Sequence, residues 1–96
     1  VTFRASNVGP DDAHELVVIR TDLEPGDLPK DETGKVDEEQ LDALGEIEEF
    51  AVGGTEEVTL NLTAGSYVLI CNIVEETNGT TESHYINGMR TAFTVE

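Results

Sequence analysis

Four side chains in this 96-residue chain carry metal-ligand chemistry: His14, Cys71, His84 and Met89. Cys71 is the single cysteine, Met89 the single methionine, and the two imidazoles complete the histidine content. Three of the four fall within the closing stretch SYVLICNIVEETNGTTESHYINGMRTAFTV. Taken singly, each has a plain explanation. A cysteine among apolar neighbours is a small core residue, a lone methionine packs, and a histidine in an acidic loop is solvated. Taken together, a thiolate, two imidazoles and a weak axial thioether form the donor set that suits copper in electron transfer. Soft sulfur favours Cu(I) and imidazole tolerates Cu(II), so a geometry intermediate between the two lets an electron arrive with little atomic movement.

Such a set works only if the chain brings its members together, and the hydropathy pattern implies strands. VTFRASNVG alternates Val1, Phe3 and Ala5 against Thr2, Arg4 and Ser6, then stops at Asn7, Gly9 and Pro10, as a half-buried strand running into a turn does. HELVVIRT is a second strand with a continuous apolar centre, expected to be covered on both sides. From Asp22 to Gly34, two prolines, two glycines and many acids predict a loop that nothing apolar orders. In VDEEQLDALG the spacing predicts one short helix: Asp37 caps, Gln40 reaches back, Val36 and Leu41 staple, Gly45 terminates, and Leu41 and Leu44 dock it. Three further strands follow. The first runs through Ile47 and Phe50, the second is EEVTLNL with Val58, Leu60 and Leu62, and the third is SYVLICNI after the Ala64-Gly65 turn. MRTAFTV closes the chain, with either Ala92 and Met89 or Phe93 and Val95 on the core face. Short strands at close spacing with one helix in a connection predict an all-β fold, a Greek-key β-sandwich, in a single domain spanning 1–96.

In such a sandwich the end of SYVLIC and the start of HELVVI lie at strand rims. Antiparallel pairing would bring Cys71 to His14, and the loop from Asn72 to Gly88 can fold His84 over them with Met89 at the foot of the last strand. At this point SNVGPDDAHELVVI, LTAGSYVLIC and HYINGMRTAFTV make the chain resemble a cupredoxin of the plastocyanin and azurin kind, over nearly its whole length. The G-x-Y before the cysteine strand and the His-x4-Met spacing are the more specific parts. The resemblance implies one type 1 copper ion held by His14, Cys71, His84 and Met89. It implies electron transfer by Cu(I)/Cu(II) cycling and an extracytoplasmic location, whether periplasmic, cell-surface or secreted. It also implies that the His84 imidazole edge reaches solvent inside a patch of Tyr85, Ile86, Asn87 and Gly88, where a redox partner docks.

Three departures from the family accompany it. Twelve residues, NIVEETNGTTES, separate Cys71 from His84 where the family has only a few, and their polar composition predicts a surface excursion at little entropic cost. Glu15 follows His14 where the family often has Asn, so the hydrogen bond that ties the two ligand loops is either replaced or missing. The family's usual first strand has no counterpart before VTFRASN.

Charge narrows the remaining classes. Five Lys+Arg against 21 Asp+Glu give a formal charge of −16, which repels nucleic acid and anionic membranes. It favours a partner with a basic docking surface, or a high-salt milieu. The apolar runs LVVI and YVLICNIV are too short to span a bilayer, and the chain is expected to be soluble. A single cysteine excludes an internal disulfide. Asn61-Leu62-Thr63 and Asn78-Gly79-Thr80 are sequons of the kind that arises by chance. Nucleophilic catalysis by Cys71 with a His base lacks an orienting residue and an oxyanion hole, so no enzyme is expected. DETGKVDEEQLD does not match the ligand spacing of a calcium loop. The remaining alternative is a cupredoxin-like module that carries copper, or has lost it and binds a partner.

Overall fold

The computed structural model of the chain describes residues 1–8, 13–77 and 79–96. Apart from two 3₁₀ turns, its regular elements among the described residues are antiparallel strands: β1 (Thr2–Ser6), β2 (His14–Arg20), β3 (Asp42–Phe50), β4 (Thr55–Thr59), β5 (Gly65–Ile70), β6 (Val74–Thr77), β7 (Thr80–Ser83) and β8 (Arg90–Val95). The centre is a four-stranded sheet in the order β3-β2-β5-β8, accompanied by a β1-β4 ribbon and a β6-β7 hairpin. The turn expected at Gly9 and Pro10 lies outside the described residues. No helix among the described residues is long and apolar enough to cross a membrane.

The unbroken apolar centre of β2 has the predicted consequence, because both faces of the sheet are covered. Pairing of Val17 with Ile70 and of Ile19 with Val68 puts these four side chains on one face. Leu28, Val36 and Tyr85 close over them, with Leu41 packed alongside. On the other face, Phe93 of β8 stacks on Tyr67 of β5 at 5.2 Å and takes Phe3 of β1 edge-on at 5.6 Å, which seats the β1-β4 ribbon. Of the two faces open to β8, it is therefore Phe93 and Val95 that turn inward.

Two expectations need correction. The short helix is not formed: among the described residues there is no α-helix, and VDEEQLDALG gives only a 3₁₀ turn, Glu38–Gln40. The cap is real, since Asp37 accepts from the Glu39 N–H at 3.1 Å and from Gln40 Nε2 at 2.7 Å. Leu41 then extends, and Asp42 begins β3, because the open edge of β2 offers this segment a full ladder of backbone partners that a short isolated helix cannot match. Gly45 is not a helix terminator but a strand residue opposite Val18. A Cβ there would come within 2.6 Å of the Leu60 side chain, so the ribbon crosses the sheet where β3 has no side chain. Leu44 falls at a register shift in this pairing and stays exposed.

The loop Asp22–Gly34 is, contrary to expectation, anchored by an apolar residue. Leu28 is only 1% exposed and follows a 3₁₀ turn at Pro25–Asp27. Its N–H donates to the Tyr85 hydroxyl at 3.2 Å, and that hydroxyl donates in turn to the Pro25 carbonyl. Leu28→Ala is accordingly expected to cost about 2–5 kcal/mol, as a large-to-small core change does. Leu23→Ala in the same loop, where the side chain is 46% exposed, should stay within about 0.5 kcal/mol of the parent. Urea unfolding midpoints of the two variants check this directly.

Candidate metal centre

The site is assembled at one end of the central sheet from residues that begin or follow strands. His14 is the first residue of β2. A register shift opposite it puts an extra residue in β3: His14 pairs with Phe50 and Leu16 with Ile47. Bulges of this kind re-aim side chains at strand ends. Cys71 directly follows β5, and its N–H donates to the Met89 carbonyl at 3.1 Å, which continues the β5-β8 ladder by one step. His84 directly follows β7, and its N–H donates to the Ile73 carbonyl at 3.0 Å. The chain then turns sharply, with the Met89 N–H returning to the His84 carbonyl at 3.0 Å and Gly88 at a φ of 110°, where a glycine is favoured.

Three ligand atoms converge. His14 Nδ1 lies 3.2 Å from His84 Nδ1, while Cys71 Sγ lies 3.4 Å from His84 Nδ1 and 3.8 Å from His14 Nδ1. Bound to zinc-like ions at about 2.0–2.1 Å for nitrogen and 2.3 Å for sulfur, three such atoms stand roughly 3.3–3.8 Å apart. The three donors are therefore already at coordinating separation, and among the described residues they form the one such cluster of His, Cys, Asp and Glu. They can hold a metal ion. Met89 is joined to the same place through its backbone, bonded to both Cys71 and His84. Its side chain is 38% exposed and lines an apolar hollow with Leu16, Leu69 and Cys71.

The second layer of contacts explains why the cluster is held. The Glu15 N–H donates to Cys71 Sγ at 3.4 Å, and Glu15 Oε1 accepts from the Asn72 N–H at 3.1 Å. The tie between the two ligand segments is thus present, made by a glutamate. Asn72 is itself buried, accepting from the Val36 N–H at 2.8 Å and donating to the Val36 carbonyl at 2.9 Å and to Glu38 Oε2 at 2.8 Å. Ser83 Oγ donates to the Gly34 carbonyl at 2.7 Å and accepts from the Ile86 N–H at 3.1 Å. Gly34 has a φ of 91°, and a Cβ there would meet Ser83 Cβ at 2.7 Å. The loop before the 3₁₀ turn and the turn after His84 are therefore locked face to face.

The electrostatics are set mainly by burial. Desolvation pushes the Cys71 thiol up from its ordinary range, against the pull of the Glu15 and Ile73 backbone N–H groups, and the Glu15 and Glu75 carboxylates push the same way as burial. Burial also raises the Glu15 carboxyl, opposed by its bond to Asn72.

The expected solvent edge at His84 is not found. His84 is only 5% exposed, and its Nε2 faces Glu75 Oε2 at 3.4 Å instead of water. Tyr85 is fully buried, so of the expected patch only Ile86, Asn87 and Gly88 are exposed. The reason lies in the twelve-residue insert: it is the surface excursion expected, but ordered as a β6-β7 hairpin that stands beside the histidine. Its signal was available: Asn78-Gly79 between polar strands is a strong hairpin dipeptide, and Gly79 has a φ of 78°. Glu15 was marked by its place after His14, and its bond to Asn72 is the replacement tie; the roles of Asn72 and Glu75 had no comparable signal. Comparison of the chain with protein-family models, with curated sequences and with solved structures finds no match.

A raised, buried thiol carries less thiolate at neutral pH than a free cysteine, whose pKa is about 8.5. The metal-free chain is therefore expected to alkylate slowly at Cys71, with a rate still climbing with pH where that of free cysteine levels off. Iodoacetamide kinetics followed by mass across the alkaline range read this out.

Proposed function

We propose that the chain binds one copper ion through His14 Nδ1, Cys71 Sγ and His84 Nδ1, with the Met89 thioether as a weak fourth ligand, and carries single electrons between proteins. The observation that carries this function is the convergence of two imidazole nitrogens and one thiol sulfur, with the sulfur receiving a backbone N–H. Two nitrogens and one sulfur are the donors that blue-copper sites combine, and a hydrogen bond to the sulfur is one of the features that tune them. Copper so held would supply a one-electron Cu(II)/Cu(I) couple.

The chain's own contribution is rigidity. Cys71 is tied to Met89, Glu15 carries a bond to each of the residues Cys71 and Asn72, and Asn72 is clamped to Val36, so the donors hold their separations without the ion. A frame that does not move when charge changes is what fast electron exchange requires. The Cys71 proton must leave on binding, so binding releases a proton and weakens as pH falls. We read the sheet and its ribbon as a cupredoxin-like Greek-key sandwich, supported by the strand order and by ligands at strand ends. The role is non-enzymatic and extracytoplasmic. The formal charge of −16 favours a redox partner with a basic docking surface, at an encounter rate that falls with ionic strength.

One equivalent of Cu(II) should produce an intense thiolate-to-copper charge-transfer band, abolished by Cys71→Ser, and voltammetry should be reversible without loss of copper. A weak, peptide-like copper spectrum, or copper surrendered on reduction, would sink the assignment.

A further inference from the structure

The hairpin that replaces the short ligand loop places a carboxylate on the outer nitrogen of a candidate ligand. His84 Nδ1 is the atom that faces Cys71 Sγ and His14 Nδ1. A ligating nitrogen must be free of its proton, so a ring bound to metal through Nδ1 would carry its proton on Nε2. In a residue 5% exposed, this N–H has little access to water, and buried donors are almost always paired. The group standing against it is Glu75 Oε2, at 3.4 Å.

The position of Glu75 is not incidental. β6 and β7 pair in antiparallel register, Val74 with Ser83 and Glu75 with Glu82, and the His84 N–H donates to Ile73 just before β6. The backbone ladder therefore carries Glu75 alongside the histidine that follows β7. Flipping the imidazole would turn Nδ1 away from Cys71 and His14.

We propose that Glu75 is a positioning residue that takes the Nε2–H of His84 and so holds Nδ1 toward Cys71 and His14, the hairpin existing to deliver it. This rests on the metal-binding role of that cluster. A carboxylate on the far nitrogen fixes the tautomer and makes the ring a stronger donor, and the loss of such a partner typically costs 10–100-fold in metal affinity. A stronger donor favours Cu(II) over Cu(I), so Glu75 also lowers the reduction potential.

Titration of the full chain with Co(II) and with Cu(II) tests this in Glu75→Leu, Glu75→Gln and Glu82→Gln, with unfolding midpoints recorded for each. Glu75→Leu should lose about 10–100-fold in affinity for both ions and raise the potential of the copper form. Glu75→Gln, which keeps an acceptor oxygen, should fall between it and the parent, and Glu82→Gln should bind like the parent. Parental affinities and potential in both Glu75 variants would overturn the proposal, as would equal weakening by Glu82→Gln, which would make the effect one of net charge. Tight Co(II) binding that depends on Glu75, with no charge-transfer band from Cu(II), would instead remove the electron-transfer function and leave the role of Glu75 standing.

Discussion

The buried amide of Asn72 is the interaction on which the rest of this structure depends. It sits one residue beyond Cys71 and bonds to both backbone groups of Val36, so the end of β5 is fastened to the loop that covers the core. Its own N–H reaches Glu15 beside His14, which fastens the same point to the start of β2. Amide and carbonyl groups of Val36 have no water to turn to at that depth. Loss of the clamp would leave them unpaired, at about 1–3 kcal/mol each. One side chain thus couples the packing of the core to the spacing of the metal donors.

The covering of the sheet and the building of the site are consequently one process. Tyr85, next to His84, fills the core and bonds to both Leu28 and Pro25. Ser83, on the other side of His84, bonds to Gly34. The histidine is carried into place because its two neighbours are structural, which is a sturdier arrangement than a ligand on a free loop. Packing of this kind transmits any volume change at Leu28 or Tyr85 to the donor atoms.

Acidity plays two parts. Most carboxylates are exposed and make the surface strongly negative. Glu15, Glu38 and Glu75 are only partly exposed and are bound into the site region through Asn72 and His84. Composition does not separate these three from the others, because each is an ordinary glutamate until a particular backbone brings it to a particular donor.

Much was legible along the chain for a physical reason: period-two alternation and apolar runs report strands locally, and cysteine, histidine and methionine are too few here to be mistaken. The strands through Phe3, Val18, Val68 and Phe93 follow from that pattern, while the meeting of His14, Cys71 and His84 needs the further condition that two strand rims are antiparallel neighbours, which β2 and β5 fulfil. The fate of VDEEQLDALG does not follow, because its cap and staple residues are equally good for one 3₁₀ turn, and only the vacant edge of β2 decides that Leu41 onward becomes a strand. Likewise Leu28 reads as a loop residue until Tyr85, 57 positions away, supplies its partner. The closure of His84 against Glu75 belongs to the same class. It is local in sequence, but it depends on the register of the hairpin and on how that hairpin packs beside the buried histidine, and neither leaves a periodicity to read.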